Sequence, residues 1–307
     1  PREKTWGPDY LRFGVGLATD FSGLSPFNIL PSYRKTWMNR LGGEWLTEVQ
    51  IGNRPSIFTE FYQPINERGQ VFVAPYLRFG QTVEGVYSEG HRVADYKVKE
   101  SRLGFDLGAV LGTWGEARIG PVLRRIEANV ETGSPLLPGL REDASGLAVR
   151  LYADQMDHAW FPRSGHRTLV NAYAGSKAFG AARDYQRLGA TYNAVHSFGA
   201  HTFNFSVTGG TNFNSNLPAY DGFSLGGPLN LSGYQISEFS GGRMAFASMQ
   251  YYHRAFALPD LLGSGVYIGA SAEAGRIKDS FVPPRDTGKL YSASIFLGAD
   301  TFMGPAY

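Results

Sequence analysis

Apolar and polar residues alternate with a period of two along nearly the whole chain, and this alternation constrains the fold more than any other feature. In the segment 102–112, Leu103, Phe105, Leu107, Ala109 and Leu111 share one face, while Arg102, Gly104, Asp106 and Gly108 share the other. The same pattern puts Leu11, Phe13 and Val15 opposite Arg12 and Gly14. It recurs with Leu147, Val149 and Leu151, with Phe203, Phe205 and Val207, with Val266, Ile268 and Ala270, and with Tyr291, Ala293 and Ile295. Reading on this basis gives fourteen strands, at 10–21, 28–39, 43–53, 55–65, 71–86, 97–112, 115–130, 144–155, 167–178, 184–197, 201–213, 242–256, 264–277 and 289–302, with a fifteenth starting near Gly304. The segments 28–39 and 115–130 alternate poorly. No helical period competes, and residues 10–307 contain no linker or low-complexity stretch.

A soluble β-sandwich also alternates, but two features argue against one. Many of these segments run 11–16 residues, whereas strands of soluble sheets average five or six. Arg, Asp and Glu also stand opposite an uninterrupted apolar face. The expected fold is therefore all-β, a transmembrane antiparallel β-barrel whose apolar face meets lipid and whose charged face meets a wet lumen. No run of about 18 apolar residues is present, which excludes a membrane helix but leaves a barrel untouched. The chain has no Cys, so disulfides and thiolate metal sites are excluded. With 29 basic and 27 acidic residues the net charge is +2, which gives no reason to expect a nucleic-acid partner.

Loop lengths set the direction of the barrel. With the N-terminus in the periplasm, the outer loops include 87–97, 131–144, 214–241 and 277–289. The inner turns are the short ones at 40–42, 66–70, 112–115 and 197–200, with 155–167 and 257–263 somewhat longer. Bacterial single-chain barrels have even strand numbers, so fourteen strands and a started fifteenth imply sixteen in the intact protein, with the last strands missing from this chain. Pro1–Trp6 has no signal-peptide core. Outer-membrane proteins are exported, so the sequence is expected to be part of a longer precursor.

The longest loop carries Ser224-Leu225-Gly226-Gly227-Pro228-Leu229-Asn230-Leu231-Ser232-Gly233-Tyr234 between the eleventh and twelfth strands. This segment resembles the sixth-loop motif of the Omp85 superfamily: a Gly-Gly pair, three residues, then apolar-Arg-Gly-aromatic. Asp154–Gly165, with Asp157, Phe161 and Pro162, resembles that family's turn between strands eight and nine. Gly242–Tyr252 and Ala272–Gly275 resemble its strands twelve and thirteen, and Phe302-Met303-Gly304-Pro305 resembles the start of strand fifteen. One position departs from the pattern. The family's loop Arg, which enters the lumen and pairs with acids on strands twelve and thirteen, is Ser232 here, and the matching wall positions are Gln250 and Glu273. Joint loss of a cation and one acid avoids leaving an unpaired buried charge. The loop is therefore expected to fold inward on neutral hydrogen bonds and Tyr234, the alternative being a cap outside the barrel. The residues expected to carry this structural and gating role are Gly226, Gly227, Leu231, Ser232, Gly233 and Tyr234, facing Gln250 and Glu273.

The Leu-Ser-Gly-Tyr version, with Trp6-Gly7-Pro8-Asp9-Tyr10-Leu11-Arg12-Phe13-Gly14 at the entry, is most similar to the barrel of patatin-like type Vd autotransporters of the PlpD kind. That resemblance implies that residues 1–9 are a linker from a periplasmic POTRA-type domain and that 10–307 form one barrel. It also implies a covalently linked upstream passenger, a patatin-like lipase, that the barrel anchors and translocates. The implied surroundings are outer-membrane lipid and lipopolysaccharide, with the barrel-assembly machinery needed for insertion and no cofactor. An Omp85-type assembly factor, a two-partner-secretion transporter and a passive pore are the alternatives.

Other chemistry is weakly signalled. Gly222-Phe223-Ser224-Leu225-Gly226 spells G-x-S-x-G, but a nucleophile elbow needs a strand-to-helix turn, so Ser224 reads as a loop serine and the domain as no enzyme. His91, His158, His166, His196, His201 and His253 show no metal-ligand spacing. Arg12, Arg102, Arg150 and Arg187, with Asp20, Asp106, Asp154 and Glu273, are expected to face the lumen. There they either tune a conducting path or hydrogen-bond across the lumen and to the loop, the preferred reading.

Overall fold

The computed structural model describes residues 9–17, 27–88, 90–134, 136–259, 263–284, 286–301 and 304–306. Of the residues singled out in the sequence, Asp20, Phe302, Met303 and all of the expected linker 1–9 except Asp9 lie outside the described residues.

Alternating residues favour extended backbone because each face of the strand then meets one kind of surroundings. The strands are β1 (Asp9–Leu17), β2 (Phe27–Lys35), β3 (Glu44–Gly52), β4 (Ser56–Pro64), β5 (Val71–Ser88), β6 (His91–Val110), β7 (Gly115–Thr132), β8 (Leu140–Asp143), β9 (Gly146–Asp154), β10 (Gly165–Gly175), β11 (Tyr185–Phe198), β12 (His201–Thr211), β13 (Phe223–Leu225), β14 (Phe239–Phe256), β15 (Gly263–Ser280), β16 (Leu290–Thr301) and β17 (Gly304–Ala306). They form one sheet in which chain neighbours pair antiparallel. β8 and β9 lie end to end along β7 and amount to one strand broken at Ala144-Ser145. Counted so, the described residues form sixteen strands. Fifteen build the wall, and the other, β13, belongs to the long loop and pairs with the start of β14. All fourteen expected strands are present, and the expected start of a fifteenth is β17. Among the described residues, a single parallel pair, Leu17 opposite Ala306, stands between β17 and β1, and no ladder closes the sheet into a ring. Helix among the described residues is limited to two single 3-10 turns, Lys177–Phe179 and Ala219–Asp221.

The two faces separate as the alternation requires. On β6, Leu103, Phe105 and Leu107 are about half exposed, whereas Asp106 between them is fully buried. Leu11, Phe13, Ile119, Leu123, Phe205, Val207, Ile268 and Ile295 extend the exposed apolar band around the sheet. A band this wide would be a strong aggregation surface in water; in a bilayer it is the lipid-facing surface. The exposed Trp37, Trp45, Trp114, Trp160, Phe198 and Phe256 lie at the end of the barrel that carries the short turns. They form a girdle of the kind that sits at a membrane–water interface.

The structure corrects the loop boundaries. Residues 87–97 are not a loop, because β5 and β6 stay paired up to Ser88 opposite His91. Likewise β7 runs to Thr132, β8 starts at Leu140 and β15 runs to Ser280, so the connections expected at 131–144 and 277–289 are shorter. β5 and β6 have 18 and 20 residues, about twice the 9–11 needed to span a bilayer. Beyond the membrane both strand faces meet water, so alternation lapses while backbone pairing continues.

The two poorly alternating strands have separate causes. In β2, Pro31 lacks an N–H, and the β2–β3 ladder skips from Ile29–Ile51 to Ser32–Glu48. In β7 the inward row mixes Arg124 with Val122, Ile126 and Ala128, all buried, because part of the lumen there is filled by protein rather than water. The two-faced wall yields a direct expectation. Phe105→Arg, on the lipid side, is expected to destabilise the folded barrel by about 2–4 kcal/mol, while Asn171→Glu, on the lumen side beside Arg150, changes stability by under about 1 kcal/mol. Denaturant unfolding in lipid vesicles measures both, and equal costs would contradict the assignment of faces.

Candidate functional site

The segment between β12 and β14 turns inward and docks on the inside of the wall at two separated places. The first is at Ser232. Its backbone N–H donates to Glu273 Oε2 at 2.5 Å and its hydroxyl donates to Glu273 Oε1 at 2.8 Å. Two wall hydroxyls complete the set: Ser271 donates to Oε1 at 2.5 Å and Ser292 to Oε2 at 2.7 Å. The carboxylate, only 4% exposed, thus receives four hydrogen bonds and needs no cation to be satisfied. Gln250 is on β14 opposite Ser271 but is not among the partners of Glu273.

Apolar contacts hold the same tip. Leu225 and Leu231 are fully buried against Phe246 and Ile277, with Tyr234, Phe239, Met244 and Leu290 packed around them. Gly275 on β15 makes this possible, since a Cβ there would come within 2.8 Å of Leu225 and 3.0 Å of Leu231. The Gly226-Gly227 pair has a backbone reason. Both residues have positive φ, at 119° and 105°, and a Cβ on Gly226 would lie 2.1 Å from the Gln235 carbonyl oxygen. The chain reverses there, with Gly226 N–H donating to Asn230 O and Gly227 N–H to Tyr234 O. Leu231 itself sits at φ 73°, an uncommon conformation for a side chain-bearing residue. Its burial and the two bonds of the adjoining Ser232 hold it there. Tyr234 packs edge-on against Phe239 at 5.0 Å.

The second docking point is Asp221, which the sequence reading missed. Arg124 Nη1 on β7 donates to Asp221 Oδ2 at 2.7 Å, and the Tyr185 hydroxyl on β11 donates to the same oxygen at 2.5 Å. The neighbouring Tyr220 donates to Glu142 at 3.1 Å. Phe223 lies under the Arg187 guanidinium, 4.4 Å from its ring centre, and is buried with Tyr185 and Leu217. The polarity is therefore reversed relative to the family pattern: here the loop supplies the acid and the wall supplies the arginine. Arg124 was hidden in the strand that alternates poorly, and the signal that could have found it is a lone Asp in an otherwise uncharged stretch, 213–237.

The other end of the lumen is narrowed from the opposite side. The turn 155–164 is shaped by Asp157 Oδ1, which accepts the backbone N–H of Arg163 at 2.8 Å and of Ser164 at 3.1 Å. It inserts Phe161 flat against Tyr267, ring centres 4.2 Å apart, and edge-on to Tyr252 at 5.8 Å. His158 in this turn lies 3.4 Å from Asp300. Among the expected lumenal charges, Asp106 accepts from Arg150, Asp154 accepts from Arg167 at 2.8 Å, and Arg102 lies 2.7 Å from Glu100. Arg12 is exposed on β1 with its guanidinium 6.0 Å from the Tyr10 ring centre. Ser224 is on β13 opposite Ser240 and accepts only from Ser237, at 3.3 Å. This is a strand position and not the strand-to-helix turn of a nucleophile elbow.

Two outcomes test the docking. Glu273→Ala is expected to weaken docking of the tip by about 2–3 kcal/mol, read as faster amide exchange confined to residues 226–236; unchanged exchange would refute the anchor. At Asp221, burial pushes the carboxyl up, but the Arg124 charge and the hydrogen bonds from Arg124 and Tyr185 hold it below the usual carboxylate range. A depressed carboxyl stabilises above its ordinary range and loses that contribution as pH falls through the depressed value. Lowering pH below the ordinary carboxylate value of about 4 is expected to undock the loop at this point, and Asp221→Asn to flatten that dependence in exchange measurements.

Known structures share this architecture. The crystal structure of BamA from Haemophilus ducreyi lacking POTRA domains 1–3 superposes with a TM-score of 0.73 at 14% identity, covering 97% of this chain and 65% of that one. CdiB from Escherichia coli gives 0.61 at 14% identity, covering 95% and 61%. CdiB from Acinetobacter baumannii gives 0.57 at 12% identity, covering 94% and 59%. At these identities the likeness is one of fold, and the chain spans less than two thirds of each of these structures. No curated protein matches the sequence. Residues 59–280, well over half of the chain, match the family model described as the Omp85 superfamily domain, and the chain belongs to the Omp85 superfamily.

Proposed function

We propose that this domain is the outer-membrane anchor and translocator of a covalently linked upstream passenger, of the type V secretion kind, with the N-terminus periplasmic and the long loop entering from outside. The observation that carries the reading is a loop docked inside the lumen at two places, Asp221 on Arg124 and Tyr185, and Ser232 on Glu273. A passive pore has no use for such a loop, because it blocks the path a solute would take. A translocator needs it, since a lumen wide enough for a passing chain must be sealed at other times. The docking contacts suit release. They are a few hydrogen bonds, one ion pair and two small apolar clusters, around Leu231 and around Phe223, and not one large continuous interface.

The Leu231-Ser232-Gly233-Tyr234 tip and the entry sequence Trp6–Gly14 support the patatin-like type Vd branch, with a lipase as passenger. Residues Gly226, Gly227, Leu231, Ser232, Gly233 and Tyr234 would form the gate, and Gln250 and Glu273 the wall it closes on. A second reading, as an assembly factor or a two-partner-secretion transporter, is favoured by the fold likeness to BamA and CdiB. A tagged passenger fused upstream separates the two: surface exposure of the fused tag supports an anchor-translocator, whereas release of a separately encoded protein supports the second reading.

The gate has its own test. Deletion of 222–236 is expected to raise the conductance of the membrane-inserted protein severalfold in planar bilayers and to lower its melting temperature. Unchanged conductance together with unchanged melting would overturn the assignment of a plug.

A further inference from the structure

Beside the docked loop lies a cavity of about 510 Å³ whose lining includes Arg54, Arg78, Arg102, Arg124 and Arg187, against the carboxylates Glu100 and Asp221. Its positive excess comes from the sheet register. Arg78 stands directly opposite Arg102 across β5 and β6, and Arg102 directly opposite Arg124 across β6 and β7. Three arginines thus form one inward-facing row on adjacent strands, an arrangement in which like charges repel. The two carboxylates serve only one end of that row. Glu100 pairs with Arg102 and Arg124, and Asp221 pairs with Arg124.

The remaining cations line the cavity without a directly bonded acid. Among the described residues, the side chains of Arg54 and Arg78 have no ion pair or hydrogen bond. Arg187 lies over the Phe223 ring and within reach of the Asp221 charge, but it forms no ion pair or hydrogen bond among the described residues, and its Nε is buried without a partner. The buried Nε of Arg102 also lacks a hydrogen bond of acceptable geometry, although Glu100 lies 2.7 Å away. A buried guanidinium N–H without an acceptor is costly. A row of repelling guanidiniums with free donors, aimed into one space with Gln50, Gln81 and Ser56 on its rim, is the complement of an oxyanion. Arginine forks match the paired oxygens of phosphate groups.

We propose that this cavity binds a multivalent oxyanion of the phosphate type, held by Arg78, Arg102 and Arg187. The walls are inward-facing strand positions, so the anion enters from lumenal water and not from the lipid. A bound anion would also tie β5, β6 and β11 to the loop through Phe223 and Asp221, which couples anion occupancy to loop docking.

The test titrates inorganic pyrophosphate into the detergent-solubilised protein at constant ionic strength, read by calorimetry and by melting temperature. Saturable binding with a rise in melting temperature is expected, weakened at least tenfold in Arg78→Gln and in Arg187→Gln. Arg34→Gln, which alters an arginine paired with Glu44 at the opposite end of the lumen, is expected to bind as the unsubstituted protein does. Arg78→Lys keeps the charge and removes the fork, so it serves if either glutamine variant fails to fold, and severalfold weaker binding is expected. A non-saturating effect that chloride reproduces, or undiminished affinity in the Arg78 and Arg187 variants, would overturn the site. Equal stabilisation by vesicles of anionic phospholipid without added pyrophosphate would move the anion from the lumen to the lipid and overturn it as well.

Discussion

Everything in this molecule depends on pairing backbone N–H and C=O groups where no water can reach them. In hydrocarbon each unpaired group costs several kcal/mol, and strands meet that demand only through their neighbours. The long antiparallel ladders from β1 to β16 are the result. Pro31 shows how local an interruption stays: the ladder skips two residue pairs where the N–H is missing and then resumes. Once backbone pairing is fixed, side chains have only two directions to point, toward lipid or toward the lumen. The division between the apolar belt and the charged interior follows from that.

The lumen then poses a different problem. It is wide enough to admit water and lined with charges, and the chain fills part of it with its own loop. Burying that loop costs conformational entropy and desolvates polar groups. Two arrangements offset these costs. At the tip, Glu273 gathers four donors from Ser232, Ser271 and Ser292, while Leu225 and Leu231 fill the space that Gly275 leaves. At the base, Asp221 joins Arg124 and Tyr185. Substituting Ser for the family's loop arginine therefore does not free the loop. It moves the ion pair from the tip to the base, where the loop contributes the negative partner.

How much was legible before the structure can be judged from particular residues. Leu103, Phe105 and Leu107 announced a lipid face because the strand period is two and each face sees one solvent. Gly226-Gly227 stood out through the family motif, because a turn that needs positive φ restricts residue type; which wall group Ser232 would bond did not. The start of β6, residues 91–96, was not legible, since strands with water on both sides lose their polarity pattern. Arg124, Tyr185 and Asp221 were equally hidden: they are 36 to 97 residues apart in the chain, and nothing local marks them as partners.

The sequence by itself determined a two-faced, all-β wall, the number of strands and the place of one long inward-folding loop, because local periodicity and turn chemistry are properties of neighbouring residues. The tertiary structure alone decided which charges meet. Register across strands brings Arg78, Arg102 and Arg124 into one row, and the path of the loop selects Arg124 for Asp221 while leaving Arg78 and Arg187 facing open space. The reason is physical. A shift of one residue in register turns every side chain to the opposite face, and register is set by the sum of all backbone pairings around the sheet, not by any segment on its own.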